Sequence, residues 1–204
     1  MTVSNAAERD RRAEKRDQIL VAASRVFASR SFHLVRMDAV AETARVGKGT
    51  LYRYFPSKEH LYLAVVAEAF DLLIRRLDQE EAAGWAPAIA LPRMIHAIVD
   101  TFARHLPYFR LMQQGHARLL FRKKEVIRAR RERIASVLGR VLDRGAEVGV
   151  FRKLDPVLAP SMLLGSVWGT VVNHAGDIPP ELLTQKVVDL CLHGIVQSQG
   201  ESRA

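Results

Sequence analysis

Apolar residues recur along this chain at the 3.6-residue period of an α-helix, which predicts an all-α protein of about nine helices. Ile19, Leu20, Ala23, Val26 and Phe27 define a first helix over 17–28. Met37, Val40, Ala41 and Ala44 form one stripe on a helix of about two turns, and after Arg45, Val46 and Gly47 the period restarts with the i,i+4 pair Leu51 and Phe55. Three short helices so spaced predict a small head, which Pro56 closes. Ser57 then stands as an N-cap, with Glu59 favourably placed in the first turn, for a connecting helix to about residue 77 through Leu61, Val65, Leu72 and Leu73.

Residues 79–91 contain Gly84, Trp85 and Pro87 and lack a period, so they are predicted as a loop, with Pro92 opening the next helix. Met94, Ile95, Ile98, Val99 and Phe102 line that helix. Pro107 starts a short piece that Gly115 ends, and a long helix follows over 116–146. Asp155 and Pro156 read as an N-cap and first-turn proline, and no Asp, Glu, Lys or Arg occurs over 156–176. A membrane span is a poor fit to that stretch, because Ser161, Gly165, Ser166, Gly169, Asn173 and His174 interrupt it and no basic flank follows. A helix buried on most sides is expected instead. The last helix, 180–197, carries Leu182, Leu183, Val187, Val188, Leu190, Cys191 and Ile195, more apolar surface than one packing face needs. The last two helices are therefore expected to form a homodimer, which an arginine at Leu164 or Val188 should break.

The outer face of the third helix holds Lys48, Gly49, Tyr52 and Arg53, opposite Leu51 and Phe55. Lys48 and Arg53 can reach phosphates or guanine edges, and Gly49 permits close approach to a backbone. Arg36, Thr50, Tyr54 and Lys58 complete the candidate DNA-contacting set, Lys58 as a phosphate contact. Residues 47–61, GKGTLYRYFPSKEHL, resemble the TetR family of bacterial transcriptional regulators, whose recognition helix and following turn read GTLYxYFxSKExL. The resemblance covers about the first third of the chain. Three positions depart from the family pattern. Arg36 stands where threonine is usual and removes a capping oxygen, Arg45 occupies a turn position commonly glycine and is expected at positive φ, and Gly47 replaces the usual serine cap. The resemblance implies a head that reads one half of an operator palindrome, and a C-terminal domain whose ligand re-angles the connecting helix and releases the DNA.

Charge agrees with that reading. Residues 1–60 hold 12 Lys and Arg against 7 Asp and Glu, and residues 122–133 hold 7 against 2, within a formal total of +9. The first cluster is the footprint expected for phosphate binding. The second reads as the solvated face of a long helix, because Val126, Ile127, Ile134 and Val137 keep an apolar stripe through it. The domain plan is a flexible basic arm (1–14), a DNA head (15–60), a ligand and dimerisation domain (61–198) and a disordered tail (199–204). Cys191 is the single cysteine and the N-terminus lacks an apolar core, so a reducing cytoplasm is expected.

No catalytic spacing, phosphate-cradling glycine loop or metal-ligand motif is found, and the seven histidines are scattered, so no cofactor, metal or enzymatic role is expected. An effector pocket is expected among Phe102, Tyr108, Phe109, Met112, Phe121 and Trp168, with His105, Gln113 and Asn173 as its polar contacts. Such a lining suits a small apolar or aromatic molecule. The expected function is a transcriptional repressor released from its operator by that molecule. A ligand-independent architectural DNA binder and, further off, a helical enzyme are the alternatives.

Overall fold

The computed structural model describes residues 2–106 and 124–194, and its architecture is all-α. Among the described residues eight α-helices follow in order: α1 (Thr2–Ser29), α2 (Met37–Thr43), α3 (Lys48–Tyr54), α4 (Lys58–Ala82), α5 (Pro87–Arg104), α6 (Lys124–Glu147), α7 (Leu158–His174) and α8 (Pro180–His193). A 3-10 turn, Phe32–Leu34, sits between the first two. The short piece expected over 107–115 and the tail from 199 lie outside the described residues.

Three helix starts differ from the sequence reading, the last being α7, which begins at Leu158 rather than Pro156, with Asp155 just before it accepting from the Val157 and Leu158 N–H groups. α1 begins at Thr2 rather than near residue 17, and residues 7–14 of the expected arm are exposed helix. Once the buried half of α1 is nucleated, adding turns rich in Ala, Glu and Arg needs no apolar face. α4 continues to Ala82 and α5 opens at Pro87 rather than Pro92, which leaves only 83–86 between them. Pro92 lies inside α5 and forfeits one backbone bond there. The buried row of Ala90, Leu91, Met94, Ile95, Ile98, Val99 and Phe102 outweighs that loss.

The chain divides into two compact units, described residues 2–71 with 124–128, and 72–106 with 129–194. In the first, α1 packs along α2 and α2 against α3. Ile19, Leu20, Ala23, Phe27, Val40, Leu51 and Phe55 are buried there, and Phe27, Phe32 and Tyr62 meet as an aromatic trio with centroids 5.3 to 6.0 Å apart. The turn between α2 and α3 is a helix-ending motif. Val46 donates its N–H to Ala41 and Arg45 donates to Glu42, each at 3.0 Å, with Arg45 left-handed at φ 51°. The positive φ expected of Arg45 is therefore observed. The Gln18 side-chain amide adds a bond to the Ala44 carbonyl at 2.8 Å, so a further free carbonyl at the end of α2 is satisfied.

In the second unit α5 packs on both α7 and α8, and Ile134, Val137, Leu138 and Val141 of α6 are buried. A close turn ends α6. Val150 and Phe151 both donate to the Gly145 carbonyl, Gly149 adopts φ 73°, and a Cβ on Gly145 would fall 2.0 Å from the Phe151 ring. Arginine forks then link the helices: Arg140 grips Glu81 through two bonds of 2.6 Å, and Arg76 and Arg104 share Asp100 at 2.7 Å each. Burial raises the Asp100 carboxyl, yet its two guanidiniums hold it below the ordinary range; the Arg140 hydrogen bond does the same to Glu81.

A depressed carboxyl stabilises the fold above its unfolded value and loses that contribution as pH falls through its folded value. Glu81→Gln should therefore lower stability by about 1 kcal/mol at neutral pH, the upper range of a surface pair. The difference from the parent should shrink as pH falls below about 4. Urea unfolding of both proteins across that pH range measures it.

Candidate nucleic-acid interface

α3 has seven residues, and its orientation follows from what it buries. Leu51 is fully buried and Phe55, just past its end, is nearly so, which turns Lys48, Gly49, Tyr52 and Arg53 outward. Tyr52 is 40% exposed, Arg53 lies with its guanidinium 5.7 Å over the Tyr54 ring, and Thr50 and Tyr54 are half-buried. A Cβ on Gly49 would meet nothing within 4 Å. The fold itself has no need of glycine there, and the bare backbone is open to a surface brought from outside.

Beside α3 an open cleft of about 400 Å³ is lined by Arg36, Asp38, Lys48, Tyr52, Ser57 and Lys58, among others. Lys48 begins α3 and Asp38 sits in the first turn of α2. Their charged groups are 2.8 Å apart, and Arg36 approaches the other Asp38 oxygen at 3.8 Å. That hydrogen bond pushes the Lys48 amine up and the Asp38 carboxyl down. Neither Arg36 nor Gly47 supplies a side-chain cap, as their residue types lead one to expect. Ser57 does cap α4, accepting from the His60 N–H at 3.3 Å, and its hydroxyl also holds Glu59 below the usual carboxyl range.

Lys58 departs from its expected role. Its ammonium points inward, donating to the carbonyls of Phe32 at 2.8 Å, Val35 at 3.1 Å and His33 at 3.4 Å, and lies 4.5 Å over the Phe32 ring. Those carbonyls occupy the donors that a phosphate would need. Lys58 therefore ties the 3-10 turn to the start of α4. The motif alone does not distinguish a cation that faces out from one that folds back onto its own backbone. Asp38 is the other residue missed, since its charge meets Lys48 only across the turn.

Of the pocket candidates, Tyr108, Phe109, Met112, Gln113 and Phe121 lie outside the described residues. Phe102 is buried and meets half-buried Trp168 edge-on at 5.2 Å. His105, at the end of α5, is half-buried, and burial pushes its imidazole down. Asn173 is exposed and donates to the Gly169 carbonyl of its own helix at 2.8 Å. Among the described residues no group of three His, Cys, Asp or Glu could hold a metal ion, and no helix is long and apolar enough to cross a membrane.

A family model described as bacterial regulatory proteins of the tetR family matches residues 19–65, and one described as the tetracyclin repressor-like C-terminal domain matches residues 86–195, more than half of the chain. The chain belongs to the TetR family. It is thus a DNA-binding regulator of transcription, and its family and named relatives are regulators rather than enzymes. It is similar to the transcriptional repressor KstR2 of Mycolicibacterium smegmatis, 26% identical over 94% of this chain and 96% of that protein. The fatty acid metabolism regulator protein of Bacillus subtilis is 26% identical over 87% of this chain and 94% of its own. A solved FadR from Bacillus subtilis, in complex with stearoyl-CoA, superposes with a TM-score of 0.75 at 24% identity, covering 88% of this chain and 98% of that one, and speaks for the TetR fold alone.

The inward Lys58 leads to a distinct outcome on substitution. Lys58→Met should cost about 1–2 kcal/mol of stability by removing the donor shared by three carbonyls, of which Phe32 retains the Val35 N–H, whereas Lys48→Ala should melt like the parent. Thermal unfolding followed by circular dichroism separates them. A Lys58→Met protein that melts like the parent but has a flatter salt dependence of DNA binding would restore the phosphate role.

Proposed function

We propose that this regulator is a repressor that binds a palindromic operator as a homodimer and leaves it when a small, largely apolar effector occupies the second unit. The observation that carries the DNA half is the exposed row of Lys48, Gly49, Tyr52 and Arg53 above buried Leu51 and Phe55. A two-turn helix with basic and hydroxyl-bearing groups on one side suits a major groove.

The dimer half rests on α7 and α8. α7 buries Leu163, Leu164, Val167, Val171 and Val172 on one side and leaves Met162, Gly165, Ser166 and Asn173 open on the other, with Met162 69% exposed. The expectation of a helix buried on most sides thus does not hold within one chain. Ser166 and Asn173 bond to carbonyls of their own helix, at 2.8 Å each, and Gly165 has open space beyond it. That face can accept a close partner helix without stranding polar atoms. On α8, Leu182, Leu190 and Leu192 are likewise exposed. Leu164 faces its own core, so an arginine there would unfold the unit rather than split a dimer; Met162 is the better probe.

The effector half is supported by the edge-on contact of Phe102 with Trp168 and by half-buried His105 three residues along from Phe102, an aromatic pair and a polar group of the kind an effector site uses. A relative named for fatty acid metabolism and a neighbour holding stearoyl-CoA make a long acyl chain the first effector to try. α4 is common to both units, so an effector that favours one exit angle of α4 changes the spacing of the paired heads. Half-sites about 34 Å apart make that spacing a strict condition for binding.

Selecting bound duplexes from a random DNA pool, then titrating the complex with stearoyl-CoA and with free stearate, tests the whole reading. Tyr52→Ala should weaken the selected duplex by about 1–3 kcal/mol. Met162→Arg should shift sedimentation from dimer to monomer and lose that duplex while keeping the helical signal. A parent that sediments as a monomer at micromolar concentration, or a Tyr52→Ala protein that binds like the parent, would sink it.

A further inference from the structure

We propose that Asp38 is an intramolecular stand-in for a DNA phosphate, occupying Lys48 and Arg36 until a matching operator displaces it, and so sets how far this head discriminates operator from bulk DNA. The inference rests on the reading of α3 as the recognition helix.

Asp38 and Lys48 are ten positions apart and come together only because the turn between α2 and α3 folds one helix start toward the other. One carboxylate oxygen takes Lys48 at 2.8 Å and the other faces Arg36 at 3.8 Å. Two oxygens each facing a cation reproduce how basic side chains meet the two free oxygens of a phosphodiester. The side chains of Lys48 and Arg36 are 63% and 82% exposed, so the arrangement contributes little to folding. It lies instead on the lining of the cleft that also holds Tyr52. With Lys58 folded back on the 3-10 turn, Arg36 and Lys48 are the two cations of that lining with ammonium or guanidinium groups turned to solvent, and Asp38 engages both.

The consequence follows from the difference between the two kinds of DNA contact. Attraction to phosphates is independent of sequence and scales with the number of free cations. A carboxylate among those cations cancels part of that attraction everywhere on the duplex. At the matching site Lys48 gains a base-edge acceptor, such as guanine N7 or O6, that compensates for leaving Asp38. Elsewhere it does not. Asp38 therefore weakens binding to bulk DNA more than binding to operator. Its hydrogen bond from Lys48 also holds the carboxyl below its ordinary range, so the charge persists at neutral pH.

The test uses the full chain and fluorescence anisotropy over a potassium chloride series. Its two probes are a mixed-sequence duplex of about three helical turns and the tightest duplex selected from a random pool. Asp38→Asn should bind the mixed-sequence duplex about two- to fivefold more tightly per head and steepen its log–log salt slope by up to about one per head. The selected duplex should gain less, so the ratio of the two affinities falls. Asp38→Glu, which keeps the charge, should retain the parent ratio, and adding Asp38→Asn to Lys48→Ala should change less than it does alone. A folded Asp38→Asn protein with unchanged or weaker mixed-sequence binding overturns the proposal. If Asp38→Asn fails to fold, Asp38→Ser takes its place, and unfolding of both makes the residue structural and also overturns it. Lys48→Ala separates the two readings. If it binds both duplexes like the parent, the recognition-helix reading itself is wrong; if it weakens them while Asp38→Asn does nothing, only the role of Asp38 falls.

Discussion

Burial of Leu51 and Phe55 is the constraint from which the rest of the head follows. A two-turn helix is too short to persist in water on its own strength, so α3 exists because one of its sides is locked into the α1 and α2 core. That lock fixes the rotation of the helix, and rotation decides which residues face out. The left-handed Arg45 and the Gln18 amide act on the same quantity from the other end, by holding α2 and the turn at one angle. The reading chemistry proposed for α3 is thus a by-product of packing, and on that proposal a substitution of buried Leu51 or Phe55 would damage recognition without facing DNA.

The charges of the chain divide by what they do. In the second unit, arginines meet carboxylates across helices, as Arg140 meets Glu81 and Arg76 meets Asp100. In the head, the charges of the cleft are exposed, so their pairing contributes little and leaves the cations open to another anion. Lys58 belongs to neither group, since its partners are carbonyls. A net charge per domain therefore overstates the phosphate-binding capacity of the head, because at least one of its cations is spent on its own backbone.

Most of the fold was legible because helical periodicity and burial are the same information. Ile19, Leu20, Phe27, Val40, Leu51, Ile95 and Ile98 are core residues by period and core residues in space. Helix ends were less legible. Proline marks a first turn without saying which of two prolines it is, so Pro92 stood in for Pro87. The outward face of α3 could be read because a seven-residue helix has only two sides. The Asp38 pairing could not, since it depends on the angle of a turn rather than on spacing. Nor could the open side of α7, because an uncharged stretch looks the same whether its second side meets its own chain or another copy.

Gly49 has an implication for genetics. Since a Cβ there would meet nothing within 4 Å, a larger residue should leave the head, the core and the α7 and α8 faces intact while holding α3 off any surface it approaches. Such a subunit, paired as proposed with an unaltered one, would form a heterodimer with one competent head facing a site that needs two. In a cell carrying both alleles the altered copy would be dominant over the normal one, the opposite of a core lesion, whose unfolded product is simply removed.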